Sequence, residues 1–446
     1  MRPVLSAGRC QRSTEITTVP FVSKDREIAF EMAASSVRYG AGVTRELGAD
    51  LADRGHHRVM VVTDRVVAAL PPVAAVLETL ERHKIHVVLY DYVRVEPTDA
   101  SLRDAIEVAS RESCDAFVAV GGGSAIDTAK IANLYSTHPP ADFLDYVNPP
   151  IGKGLAVPGP LRPLFAIPTT AGTGSETTGV AVFDLERMHV KTGISSRLLK
   201  PTLGYLDPEH TRTLPPPVTA SAGLDVLCHA VESYTVIPFT DRPRPSRPAL
   251  RPTYQGSNPI SDVWSLQALR MVATHLVRAF DHPDDDEARG HMMLAASFAG
   301  IGFGSAGVHL PHAMAYPVAG GVKQYCAPGY PADHPLVPHG FSVILNAPAV
   351  FRYTASASPE RHLAAAEALG ADVSRSKKED AGRVLADRIA WFMQRLNAPE
   401  NLRAVGYTSA DIPTLVQGTL AQERLTKLSP RAADAETLAR LFEDAM

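Results

Sequence analysis

Apolar positions divide this chain into two unlike halves. From about Glu27, short apolar runs alternate with amphipathic stretches. Residues 58–64 (RVMVVTD), 86–90 and 116–120 are dense in β-branched and apolar side chains and predict buried strands. Between them, residues 73–83 and a stretch from the N-cap Thr98 to about Ala109 keep helical spacing. That alternation predicts a parallel sheet with helices on its faces. Residues 164–168, 180–183 and 203–206 predict further strands. After Asp207-Pro208 the strand pattern nearly vanishes. Residues 221–235, a run from Ser261 as N-cap to Phe280, and residues 287–298, 359–369, 380–396 and 434–442 all read as helices. The expected organisation is a leader (1–27), an α/β domain (28–210) and an all-α domain (211–446).

Composition narrows the class. A chain of 446 residues favours two or three domains, and 45% hydrophobic with 21% charged residues supports a sizeable core. A net charge of -4 gives no electrostatic footprint for nucleic acid. No apolar run approaches the ~20 residues of a membrane helix. Cys10, Cys114, Cys228 and Cys326 are scattered without a CxxC, which fits a reducing compartment. The first fourteen residues carry Arg2, Arg9 and Arg12 with no acid before Glu15. This suits a mitochondrial presequence and a matrix location; a disordered terminus of a cytoplasmic protein is the alternative.

Three places carry candidate chemistry. The third strand runs into Gly121-Gly122-Gly123-Ser124 and then a helix. Backbone N–H groups at such a helix start favour an anion, and glycine lets a pyrophosphate approach, although the same turn can be purely structural. Ile126 stands where GxGxxG needs its last glycine. Asp64, at the end of the first strand, can accept the ribose hydroxyls of NAD or simply cap the next helix. The strand ending at Pro168 opens into a loop with Thr169, Thr170, Thr173 and Ser175, all possible donors to phosphate or ribose. In residues 221–235, Asp225 and His229 stand four apart on one helical face. They can grip a divalent cation or form an ordinary helix pair. His312 and His339 can complete a set of three imidazoles and one carboxylate, though spacing alone does not bring them together. Such donors suit Fe(II) or Zn(II).

GGGSAIDTAK (121–130), PTTAGTGSETT (168–178), GLDVLCHAVESYT (223–235), HAMAYP and PHG together resemble the iron-containing alcohol dehydrogenase family. AFEMAASSVRYGAGVTRELG, YVRVEPTD, YQGSNPISD and HPLVPHG are similar to its branch that passes hydride from a hydroxyacid to an oxoacid. The resemblance implies a dehydroquinate-synthase-like fold: an N-terminal dinucleotide-binding α/β domain, a C-terminal helical metal-binding domain, and the site in the cleft between. It implies Asp225, His229, His312 and His339 as ligands of Fe(2+), with Zn(2+) as the other candidate. For NAD it implies Gly122, Gly123 and Ser124 at the pyrophosphate with Asp127 nearby. Thr169, Thr170, Thr173 and Ser175 would line the cofactor, Asp64 would meet the ribose, and Lys191 the nicotinamide end. Simple alcohol dehydrogenases of this family often read HGMAHP; here Tyr316 replaces the second histidine. Tyr316 is therefore the candidate catalytic side chain, as pocket wall or hydrogen-bond donor, while the nearby His309 reads as core. The implied reaction converts 4-hydroxybutyrate and 2-oxoglutarate into succinic semialdehyde and D-2-hydroxyglutarate, with bound NAD reduced and reoxidised in place. Small-molecule substrates and a homo-oligomer are expected. The alternatives are an NAD-dependent alcohol dehydrogenase that releases its cofactor each turnover, or a non-enzymatic sensor.

Two insertions invite a role. Arg242, Arg244, Arg247 and Arg251 alternate with prolines directly after the 221–235 helix; the segment can fold over the cleft so that at least one arginine binds a substrate carboxylate, or it can be a solvated surface loop or an oligomer contact. Residues 321–336, between His312 and His339, are expected to wall the pocket.

Overall fold

The computed structural model describes residues 25–33, 35–188, 190–330 and 334–446; the presequence expectation lies outside the described residues. Six strands form one parallel sheet: β1 (Ser36–Tyr39), β2 (Arg58–Val62), β3 (His86–Tyr90), β4 (Ala116–Gly121), β5 (Leu164–Pro168) and β8 (Leu203–Leu206). Their order is β1-β8-β5-β4-β2-β3. The central strands read as continuous apolar runs because both sheet faces are covered. Val59, Val61, Val118 and Val120 pack into one layer, and Met60, Val62, Phe117 and Ala119 into the other.

This order fixes where a ligand can sit. The chain leaves β2 toward β3 on one side and β4 toward β5 on the other. The connections diverge between β2 and β4, opening a crevice above their carboxyl ends. Asp64 follows β2 and Gly122 follows β4, so both stand at that crevice.

Two expectations about the sheet change. The run from Val180 does not join it: β6 (Val180–Leu185) pairs antiparallel with β7 (Val190–Ser195) as a separate hairpin. β1 went unpredicted because it is an edge strand with mostly exposed side chains, so its four residues carry little apolar signal.

From Pro216 the described chain is helical. The Pro216–Thr235 helix is buried on nearly every side, packed by Pro259–Asp281, Asp286–Ala306 and His339–Ile344. Asn258 rather than Ser261 is the N-cap of Pro259–Asp281: its Oδ1 accepts from the Ile260 and Ser261 amides, and Ser261 Oγ accepts from Asn258 N in return. Ser261 is the other half of that reciprocal pair. Among the described residues no single helix is long and apolar enough to cross a membrane.

The two bodies meet backbone to backbone. Gly174 has φ +59, and a Cβ there would lie 2.7 Å from Gly300 Cα and 2.8 Å from Ala296 O. Gly174→Ala is expected to destabilise by about 2–4 kcal/mol, from left-handed strain plus overpacking. Gly55→Ala, with φ +76 but nothing within 4 Å, should show the strain component alone. Thermal unfolding midpoints of the two variants check the difference.

Candidate metal and dinucleotide site

Three segments distant in sequence converge on one carboxylate. Asp225 and His229 project from the Pro216–Thr235 helix, His312 from the first turn of Leu310–Gly320, and His339 opens His339–Ile344. His312 Nε2 lies 3.6 Å from Asp225 Oδ1, His229 Nδ1 3.8 Å, and His339 Nε2 3.9 Å. The His229 ring stacks on Phe303 at 4.0 Å and on His312 at 4.5 Å between centroids. Gly340 allows this convergence. A Cβ there would fall 1.9 Å from Ser221 O and 3.1 Å from Asp225 Cβ, so only glycine lets the His339 helix lie directly on the Asp225 helix.

The donor atoms fit a cation. Asp225 Oδ1, His229 Nδ1 and His312 Nε2 are buried and have no hydrogen-bond partner. Leaving a buried polar atom unpaired costs about 1–3 kcal/mol, and three around one point is a large penalty unless an ion fills it. Donor atoms of Asp225, His312 and His339 all lie within 4.8 Å of one another. Burial pushes the His229 imidazolium down to about 3 and lowers His339 too, leaving neutral rings with lone pairs. Burial alone would raise the Asp225 carboxyl, but the surrounding imidazoles hold it well below the carboxylate range.

Glu232 is a functional residue that the sequence reading missed. It is fully buried and accepts from His312 Nδ1 at 2.5 Å and from the His309 amide at 2.7 Å. Donating from Nδ1 fixes the His312 tautomer and turns the Nε2 lone pair toward Asp225. Burial would lower the His312 pKa, yet Glu232 and Asp225 raise it to about 9, so without a cation Nε2 also holds a proton, which a bound cation would displace to use that lone pair. The signal was present: Glu232 stands three residues after His229 on the same helical face. His309 packs as core, fully buried, with Nε2 3.1 Å from Thr235 Oγ1.

A single cavity of about 470 Å³ runs from the sheet crevice to this cluster. Asp64, Gly122, Gly123, Ser124, Asp127, Thr169, Thr170, Thr173 and Ser175 all line it, as do Asp225, His229, His312, Tyr316 and His339. Of the two roles considered for Asp64, the structure shows the helix cap. Its Oδ1 caps Val66 N and Val67 N, each at 2.9 Å, while the carboxylate still faces the cavity. The Gly123 Cβ position is taken by Thr173 Cγ2 at 2.6 Å, so this glycine seats the two cavity-lining loops against each other. Asp127 cross-links the loops, accepting from Ser175 Oγ at 2.6 Å and Val182 N at 2.9 Å.

Two expectations are corrected. Lys191 does not face the cavity: its ammonium lies between Glu96 Oε2 at 2.6 Å and Asp184 Oδ2 at 3.0 Å, and Glu96 lines the wall instead. A fully buried ammonium needs that pairing. Nor do the four arginines reach the cleft. Arg251 is held by Glu27 at 2.9 and 3.0 Å, Arg242 donates to Tyr254 O, Arg244 N bonds Asp25 O, and Arg247 is an exposed N-cap. Their loop fastens the segment before β1. The 321–336 insertion does contribute wall, through Gly329, Tyr330 and Leu336.

A dinucleotide crevice and a buried Asp-His cluster sharing one cavity define an oxidoreductase that couples hydride transfer to a metal-binding site. The chain belongs to the iron-containing alcohol dehydrogenase family. The model of iron-containing alcohol dehydrogenases matches residues 34–208, and that of the family's C-terminal region matches 253–446. The chain is 59% identical to the mitochondrial hydroxyacid-oxoacid transhydrogenase of Xenopus laevis, over 98% of this chain and 95% of that protein. Identity to the Homo sapiens protein of that name is 57%, over 95% and 91%. Among solved structures, a 1,3-propanediol oxidoreductase superposes with TM-score 0.82 at 28% identity, covering 94% of this chain and 100% of that one. An alcohol dehydrogenase from Oenococcus oeni gives TM-score 0.82 at 26%, with the same coverage.

Glu232→Gln should keep the fold but weaken metal binding about 10- to 100-fold, measured by competition with a chelator. Gly340→Ala should displace His339 and abolish stoichiometric metal binding while leaving the helical circular dichroism signal intact.

Proposed function

We propose that this chain is a hydroxyacid–oxoacid transhydrogenase acting in the mitochondrial matrix. One observation carries the reading: near-full-length identity of 57–60% to several vertebrate proteins with that name, all designated mitochondrial. The reaction is hydride transfer from 4-hydroxybutyrate to 2-oxoglutarate through a dinucleotide that stays bound, giving succinic semialdehyde and D-2-hydroxyglutarate.

Asp225, His229, His312 and His339 hold the divalent cation, taken as Fe(2+), and Gly122, Gly123, Ser124 and the Thr169–Ser175 loop hold NAD. The cation supplies Lewis acidity toward hydroxyl and carbonyl oxygens, and the nicotinamide supplies the hydride acceptor and donor. Glu232 keeps His312 in its donor tautomer. Phe303 buttresses the His229 ring, which limits its tilt. Asp64 accepts from the adenosine ribose and disfavours a 2′-phosphate by charge repulsion. Tyr316 accepts from Arg424 Nη2 at 2.6 Å. Because a guanidinium can only donate, the phenol keeps its own proton to offer into the cavity. That proton can bond the substrate, so the hydroxyl serves to position it.

Purified protein given 4-hydroxybutyrate and 2-oxoglutarate, with no added NAD, should form the two products in equal amounts, quantified by chiral chromatography. Added NAD should leave the rate unchanged. Product formation that requires NAD in proportion to turnover would instead favour the cofactor-releasing alcohol dehydrogenase.

A further inference from the structure

Arg424 is a cation without an anion. It lies in the short Glu423–Thr426 helix, far in sequence from every motif discussed above. Its guanidinium sits behind two cavity-lining phenols, with Cζ 5.6 Å from the Tyr254 ring centre and 5.8 Å from that of Tyr316. Nη2 donates to Tyr316 OH, but Nη1 is buried with no partner. Among the described residues no carboxylate pairs with it, and the polar side chains beside it are the two phenols. An unpaired buried guanidinium beside a ligand cavity is strongly unfavourable unless the ligand brings the negative charge.

We infer that Arg424 receives the distal carboxylate of both substrates, with the Tyr254 and Tyr316 hydroxyls beside it. The inference rests on the transhydrogenase reading, which supplies the substrate class. The donor and acceptor share one feature: in 4-hydroxybutyrate and in 2-oxoglutarate, the reacting carbon is separated from a carboxylate by two methylenes. One guanidinium at one distance from the reaction centre therefore serves both half-reactions. The reach agrees. Five bonds from the reacting oxygen to the far carboxylate oxygen span about 6 Å when extended. The Tyr316 ring, 6.5 Å from the His339 ring centre, stands between the histidine cluster and Arg424. A ligand laid along Tyr316 thus meets the histidines at one end and the guanidinium at the other. The charge is needed at this place because the four arginines after the Asp225 helix are engaged elsewhere.

Single-turnover reduction of enzyme-bound nicotinamide tests this, with NAD supplied to saturation so that the outcome does not depend on whether the cofactor is retained. The donors are 4-hydroxybutyrate and its uncharged analogue 1-butanol. Arg424→Met should cut the preference for the acid over the alcohol by about 30-fold or more, the loss of a charge-assisted bond. Arg424→Lys should retain part of it, and added methylguanidine should restore the Arg424→Met variant toward the acid alone. In the reverse direction, discrimination between 2-oxoglutarate and 2-oxopentanoate, which lacks the distal carboxylate, should fall in parallel. Equal losses with acid and alcohol would mean that Arg424 only supports the fold, and an unchanged preference would mean that the carboxylate binds elsewhere; either overturns the assignment. Turnover without added NAD by the unaltered enzyme judges the transhydrogenase reading separately.

Discussion

Buried donor atoms that converge on one point dominate this molecule. Asp225 Oδ1, His229 Nδ1 and His312 Nε2 cannot satisfy themselves within the protein. Their placement demands an almost wholly buried helix, because a water-exposed Asp225 would be solvated and would organise nothing. The tight approach at Gly340, the Phe303 stack on His229 and the full burial of Glu232 all follow from building a dry, preorganised ligand cage. The cost of that cage is spread across the helical body, whose large apolar core encloses it.

The cavity is graded along its length. At the sheet end it offers backbone N–H groups, hydroxyls and one carboxylate, chemistry suited to phosphates and ribose. At the helical end it offers imidazoles and phenols, with the Arg424 guanidinium behind the phenols. Buried ion pairs along the wall are mostly closed on themselves: Lys191 with Glu96 and Asp184, and Lys130 near Asp127. Closed pairs leave the field inside to be set by the few groups that remain open.

Much of this could be read from the chain, and the exceptions have physical causes. The buried strands declared themselves through apolar runs, and Asp225 and His229 through helical spacing. His312 and His339 were reachable only through family resemblance, since their approach to Asp225 is a long-range packing outcome that no local pattern encodes. Glu232 shares the spacing that marks His229, yet an acid on an apolar helix face carries no local sign of what balances its charge. The arginine-proline loop misled because charge density suggested anion binding, whereas Glu27 and backbone carbonyls take up that hydrogen-bonding capacity. Arg424 carried no local signal at all; its meaning lies in having no partner, which only tertiary structure reveals.

The segment before β1 has a mechanical consequence. Glu27 and Glu31 are fastened to Arg251 and Gln255 on the helical side, and a few residues later the chain enters the sheet as β1. The chain crosses back after Leu206. These two chain crossings and the close Gly174–Gly300 approach restrain sliding and twisting of one body on the other. Every donor of the buried cage stands on the helical body, so its geometry does not depend on the exact seat of the sheet beside it.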